Sequence, residues 1–215
     1  TTGAIVLRQP FGGVGLSAYG PGVKAGGPHY VLPLMRVTDG KPAVAPTSHG
    51  GEKHVETFEY EELDRLNSLL ERAVNDAVVD DVAAARIQAA AVTQRVALEN
   101  EFSSEHDTFR LIGQDNIRRY RPTQAMNLRF DANDSISDIW ISLSAAITVK
   151  TQVTLSIDPE VSDAIKDLLE RIADIFPGLV HPIDESESEL VERISAGDVG
   201  RLRLVGLTKS NKIDD

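Results

Sequence analysis

The chain has 215 residues, 41% of them hydrophobic, enough to bury a core for one domain or one domain with a short appendage. A net charge of -11 argues against nonspecific nucleic-acid binding, because phosphate recognition rests on excess Lys and Arg. The lack of cysteine excludes disulfides, thiolate metal sites and a cysteine nucleophile within these residues, and no apolar run approaches the roughly 18 residues of a membrane span.

The start, Thr1-Thr2-Gly3-Ala4, carries neither Met nor a charged-then-apolar leader and reads as a cut; the expected setting is cytoplasmic. Residues 1 to 38 are rich in glycine and end in a strand-like run, Tyr30 to Val37, whose Pro33 suits an edge. Residues 39 to 57, with Gly40, Pro42, Pro46, Gly50 and Gly51, lack a sustained period and read as a linker. From Tyr60 the spacing turns helical through Leu63, Leu66, Leu69, Leu70, Ala73 and Val74, and a second, Ala-rich helix is expected over Val82 to Phe102.

Strands are then predicted at Arg110 to Ile112, Ile117 to Tyr120 and Asn127 to Phe130, and a helix over Ser135 to Ile147 capped by Asp134 or Ser135. A strand Gln152 to Ile157 precedes a helix Pro159 to Phe176 with proline in its first turn. Strand Leu179 to His181, helix Glu185 to Ile194 and strand Arg201 to Gly206 follow. Strand and helix in alternation argue for an α/β fold with a parallel sheet, and residues 58 to 215 are expected to form a helical pair followed by a Rossmann-like noncatalytic domain, possibly truncated.

Chemistry concentrates in Thr2-Gly3-Ala4, Gln9-Pro10-Phe11-Gly12-Gly13, Leu16-Ser17 and Lys24-Ala25-Gly26-Gly27-Pro28. Glycines let backbone approach a ligand closely and Phe11 offers a flat apolar wall, which suits an active-site loop; a plain glycine-rich surface loop is the other reading. The combination resembles the end of the catalytic domain in glutamate-semialdehyde (pyrroline-5-carboxylate) dehydrogenases of the aldehyde dehydrogenase superfamily, in particular those of the bifunctional proline utilization A type. It covers residues 1 to 38. The resemblance implies that backbone at Gly3 and Ala4 anchors the substrate carboxylate and that Phe11 lines the aldehyde pocket. Leu7 and the stretch Ser17 to Val23 depart from the family pattern.

A weaker resemblance covers the remainder. Glu105-His106-Asp107, Leu111 to Asn116 and Arg119-Tyr120-Arg121-Pro122 look like the start of the C-terminal domain of longer proline utilization A proteins, a noncatalytic copy of the dinucleotide-binding fold that serves as lid and assembly element. Ser156 stands where a cofactor-binding dehydrogenase would carry its ribose-binding lysine, and no Gly-x-Gly-x-x-Gly lies between a strand and a helix in this half. The resemblance therefore implies an NAD-dependent parent enzyme whose catalytic cysteine and cofactor site lie outside these 215 residues, with FAD added only if a proline dehydrogenase is fused. The expected partners are the rest of the dehydrogenase chain and a further copy of this one. The alternative is a stand-alone pseudo-dehydrogenase module for interaction or oligomerisation.

The remaining polar groups have plainer readings. Arg118, Arg119 and Arg121 suggest phosphate binding but also fit pairing with the abundant acids. Glu105-His106-Asp107 fits local capping or salt bridging, the five histidines lack convergent spacing for a metal, and Trp140 shares an apolar stripe with Ile136, Ile139, Leu143 and Ile147.

Overall fold

The computed structural model describes residues 11–13, 15–17, 24–25, 30–31, 34–35, 60–107 and 110–206, and they fall into two compact units. One comprises Thr1–His54 with Ser103–Tyr120, the other Val55–Phe102 with Arg121–Asp215.

The second unit holds the regular structure. Helices α1 (Tyr60–Asn75) and α2 (Asp81–Ala97) are followed by a π-helical turn, Leu98–Phe102, and then by the alternation β1 (Ala125–Phe130), α3 (Ile136–Thr148), β2 (Gln152–Ile157), α4 (Asp163–Ile175), β3 (Val180–Asp184), α5 (Glu187–Ala196) and β4 (Leu202–Leu204). The four strands form one parallel sheet in the order β3-β2-β1-β4. This is an α/β fold, as the alternation predicts.

Side-chain alternation gives the sheet two different faces. Leu128, Phe130, Val153, Leu155 and Ile157 are buried on one face, in a core with Ile139, Trp140, Leu143, Leu168, Leu169 and Ile172 of α3 and α4. The opposite face carries Asn127, Arg129, Thr154 and Ser156, and it is met by α5, whose Arg193 bonds Asn127 Oδ1 at 2.8 Å. Right-handed crossovers require this split, because the chain steps outward from β1 to β2 to β3 and then returns across the sheet to β4.

Helices α1 and α2 form a further layer, α1 on α4 and α2 on α3. That explains why α3 is buried on most of its surface: it has the sheet on one side and α2 on the other, and Trp140 is 2% exposed. Its small polar residues face α2, where Arg86 Nη1 donates to Ser137 Oγ at 2.7 Å and Ser144 Oγ donates to Gln94 Oε1 at 2.6 Å.

Several elements differ from the sequence expectation. Tyr30 and Val31 lie in a turn, and Leu34 N–H donates to Val31 carbonyl at 2.9 Å, so these members of the expected strand are not extended; the rest of that run and the expected linker lie outside the described residues. The expected strands at 110–112 and 117–120 reduce to one antiparallel bridge, His106 with Arg118. Helix α4 starts at Asp163, after Pro159 rather than around it, because Asp158 Oδ1 accepts the Glu160 N–H at 3.0 Å and closes a turn there. Strand β3 runs on to Asp184 through Pro182. Leu179 carbonyl and Glu185 N–H bond β2, so the backbone of Pro182 faces the open edge, where a missing N–H costs no ladder bond.

Candidate functional site at the carboxyl end of the sheet

In an open parallel sheet a ligand crevice forms beyond the carboxyl ends of the strands where their order reverses, here between β1 and β4. Two carboxylates occupy that position. The turn after β1 is Asp131-Ala132-Asn133-Asp134, in which Asp131 Oδ1 accepts the Asn133 N–H at 2.7 Å and Asp134 Oδ2 accepts the Asp131 N–H at 3.0 Å. Gly206, two residues beyond β4, has φ +79 and lies against this carboxylate.

Ser135 then caps α3. Its Oγ accepts the Asp138 N–H at 3.1 Å and donates to Asp138 Oδ2 at 2.7 Å, while Asp138 also pairs with Arg86 at 2.7 Å. The Ser135 hydrogen bond is the main reason that the Asp138 carboxyl is held below its ordinary range, with partial burial working against it and Arg86 reinforcing it. Asp134 is shifted the other way. Its burial dominates, the Asp131 N–H opposes, and the charges of Asp131 and Asp138 push it further up. A helix N-terminus normally favours an anion, but one flanked by two carboxylates repels a pyrophosphate.

Beneath α5, a polar cluster spans three strands. Arg129 of β1 donates through Nη1 to Ser156 Oγ at 3.2 Å and to Glu185 carbonyl at 2.6 Å, and through Nη2 to Asp158 Oδ2 at 2.5 Å. Arg193 of α5 donates to Glu185 Oε1 at 2.7 Å and to Asn127 Oδ1. Arg129, Ser156 and Glu185 are buried, so each charge has a partner where water cannot supply one. Both terminal nitrogens of the Arg129 fork donate to protein acceptors, three bonds in all, which fits a fastening for the sheet and α5 better than an open anion site.

Of the substrate contacts expected from the sequence, Gly3 and Ala4 lie outside the described residues. Phe11 is 41% exposed and exchanges two backbone bonds with Ala25, at 3.0 and 2.9 Å; Lys24 Nζ donates to the carbonyls of Gly12 and Gly13. Phe11 to Gly13 and Lys24-Ala25 are thus neighbours in space. Ser156 is fully buried in β2 under Arg129. Arg119 pairs with Glu105, Arg118 stacks 4.7 Å over the Tyr120 ring, and Asp107 accepts the Arg110 and Asn116 N–H groups, in keeping with the structural reading of both segments. Trp140 is core.

The Arg129 cluster and the Asp134–Gly206 contact were not anticipated. Their trace in the sequence is the polar alternation Asn127, Arg129 inside an otherwise apolar strand, and a strand-to-helix turn with acids where a phosphate loop would have glycines. Among the described residues no group of three or more His, Asp or Glu side chains is placed to hold a metal ion. A shallow groove of about 130 Å³ between α1 and α4 is lined by Leu69, Ala73, Asp76, Ala164, Leu168 and Arg171. No helix among the described residues is long and apolar enough to cross a membrane.

The fold and these contacts define a mixed α/β domain with a parallel four-stranded sheet and an acidic, internally bonded switch point. Comparison with family models, curated proteins and solved structures gives no match.

Proposed function

We propose that the chain serves an NAD-dependent aldehyde dehydrogenase that oxidises L-glutamate γ-semialdehyde to glutamate, with the glycine-rich segment contributing its substrate anchor and residues 121–206 forming a Rossmann-like, noncatalytic lid or assembly domain. The observation that carries this is the sequence motif Thr2-Gly3-Ala4, Gln9-Pro10-Phe11-Gly12-Gly13 and Lys24-Ala25-Gly26-Gly27-Pro28, in that order, in a chain without cysteine. Such oxidation proceeds through a thiohemiacetal on a thiolate, so the nucleophile must come from other residues of the enzyme. The strand order and the carboxylates of Asp131 and Asp134 support the noncatalytic reading of the second unit, because they combine a nucleotide-type topology with a charge that opposes pyrophosphate.

The test is an activity comparison. The 215 residues alone should form no NADH from pyrroline-5-carboxylate, whereas the full enzyme carrying them behind a cysteine-bearing core should, with a raised KM after Phe11→Ala. Aldehyde oxidation by the isolated chain, or an enzyme indifferent to Phe11, overturns the proposal. Calorimetric titration with NAD addresses the second unit separately, and submillimolar binding there would sink the noncatalytic reading.

A stand-alone interaction or oligomerisation module is the second reading. Its interaction form, with a partner other than a second copy at this edge, is favoured by the half-exposed Leu202 and Leu204 on an edge strand. Its mark would be a stable complex formed by the isolated chain.

A further inference from the structure

Strand β4 lies at the end of the sheet order and pairs with β1 along one side. The Asn127 N–H donates to Arg201 carbonyl and the Val205 N–H donates to Arg129 carbonyl, both at 2.8 Å. Since alternate residues of a strand turn their backbone to opposite sides, Arg201, Arg203 and Val205 serve β1, and the N–H and C=O groups of Leu202 and Leu204 point to the open side. No strand among the described residues pairs with them.

The side chains on this edge have a definite pattern. Leu202 and Leu204, 37% and 40% exposed, lie on the face covered by α5, where Ile194 stands half-exposed one turn after the buried Leu190. Arg203 projects to the other face, and both Arg201 and Arg203 are exposed with no ion-pair partner among the described residues, in a chain of net charge -11. The edge therefore offers four backbone groups without a partner among the described residues, an apolar shelf on one face and guanidinium groups beside it. A second copy is a poor occupant: an antiparallel pairing centred on Arg203 would set guanidinium directly opposite guanidinium.

We infer that the open edge of β4 is a docking site for an extended partner segment whose side chains alternate between aliphatic and carboxylate, added as a further strand. Backbone bonds to Leu202 and Leu204 supply the pairing, aliphatic side chains cover the two leucines, and carboxylates meet Arg201 and Arg203. This surface does not depend on the dehydrogenase reading.

The experiment uses the whole 215-residue chain, labelled with ¹⁵N, and two synthetic heptapeptides, one alternating valine with glutamate and one alternating valine with lysine. The acidic peptide should shift the Leu202 and Leu204 amide signals and slow their exchange with solvent. Arg203→Glu, at an exposed position, should weaken the acidic peptide at least tenfold and favour the basic one while leaving the remaining amide signals in place. Three results would overturn the inference: no change at Leu202 and Leu204 up to millimolar acidic peptide, equal binding of both peptides, or protection of these amides by chain association without peptide, which would assign the edge to a second copy.

Discussion

A methyl group on Gly206 would collide with Oδ1 of Asp134. The last residue described after β4 thus closes directly onto the turn that follows β1, and the contact joins the two strands between which the sheet order reverses. Asp134 has little room to yield, because its other oxygen holds the Asp131 N–H.

Gly206→Ala combines this clash with a backbone at φ +79, where a side chain is strained. The substitution should destabilise the second unit by about 1–3 kcal/mol. The one tryptophan, Trp140, is buried in that unit, so urea unfolding followed by its fluorescence reports the loss directly.

Arg129→Met removes a buried guanidinium and leaves Asp158, Ser156 and the Glu185 carbonyl without their donor. Breaking one side of a buried ion pair costs about 3–5 kcal/mol; the Asp158 side chain keeps some access to water, which places the expected loss near the lower end. Arg129→Lys should recover little of it, since one ammonium cannot span three acceptors in a fork. The same unfolding curves, with a lower midpoint for both variants, check this.

Ser186 begins α5 with a reciprocal arrangement: its hydroxyl accepts the Glu189 N–H at 3.4 Å, and Glu189 Oε2 accepts the Ser186 N–H at 2.7 Å. The Ser186 N–H, and the Ser186 hydroxyl that donates to the same Oε2 at 2.7 Å, hold the Glu189 carboxyl below its ordinary range. Ser186→Ala should cost about 1 kcal/mol. Faster amide exchange in the first turn of α5, with the first turn of α3 unchanged, would locate the effect at this cap.

Asp134 and Asp138, four residues apart, should respond to acid in opposite ways. Asp138 is depressed in the folded chain, so its stabilisation is full above the ordinary carboxylate range and is lost as pH falls through its lowered value. Asp134 is raised, so ionising it opposes folding at neutral pH, and that penalty disappears as pH falls below the ordinary range. Asp138→Asn should therefore be less stable than the parent at pH 7, and Asp134→Asn no less stable than the parent; the Asp134 difference should fade as pH falls below the ordinary carboxylate range, and the Asp138 difference only at lower pH, as it falls through that group's lowered value. Denaturation midpoints measured across that range decide the matter, and parallel pH profiles for the two variants would contradict the assignment.

The periodicities of residues 60 to 102 and 125 to 206 determine the kinds of element and nearly all their positions, whereas the strands expected at 110–112 and 117–120 do not form. Gln152 to Ile157 is extended as read, Ser135 rather than Asp134 caps the helix for which both were expected candidates, and the apolar stripe through Ile139, Trp140 and Leu143 is buried as read. These features follow from local spacing, which is a property of neighbouring residues. The errors fall where a distant group intervenes: Asp158, held by Arg129, keeps Pro159 out of α4, and the open edge lets β3 continue through Pro182.

What the tertiary structure alone decides is which residues meet. Strand order cannot be read from a chain of alternating elements, because β4 could pair with β3 or with β1 at the same local cost. Its place beside β1 brings Gly206 onto Asp134, turns the backbone of Leu202 and Leu204 outward, and sets Arg193 across from Asn127. The glycine-rich motif is legible from the sequence because it is a matter of composition and order; the Arg129 cluster is not, since partners such as Arg129 with Ser156, 27 residues apart, and Asn127 with Arg193, 66 apart, are joined only when the sheet forms, as are Gly206 and Asp134.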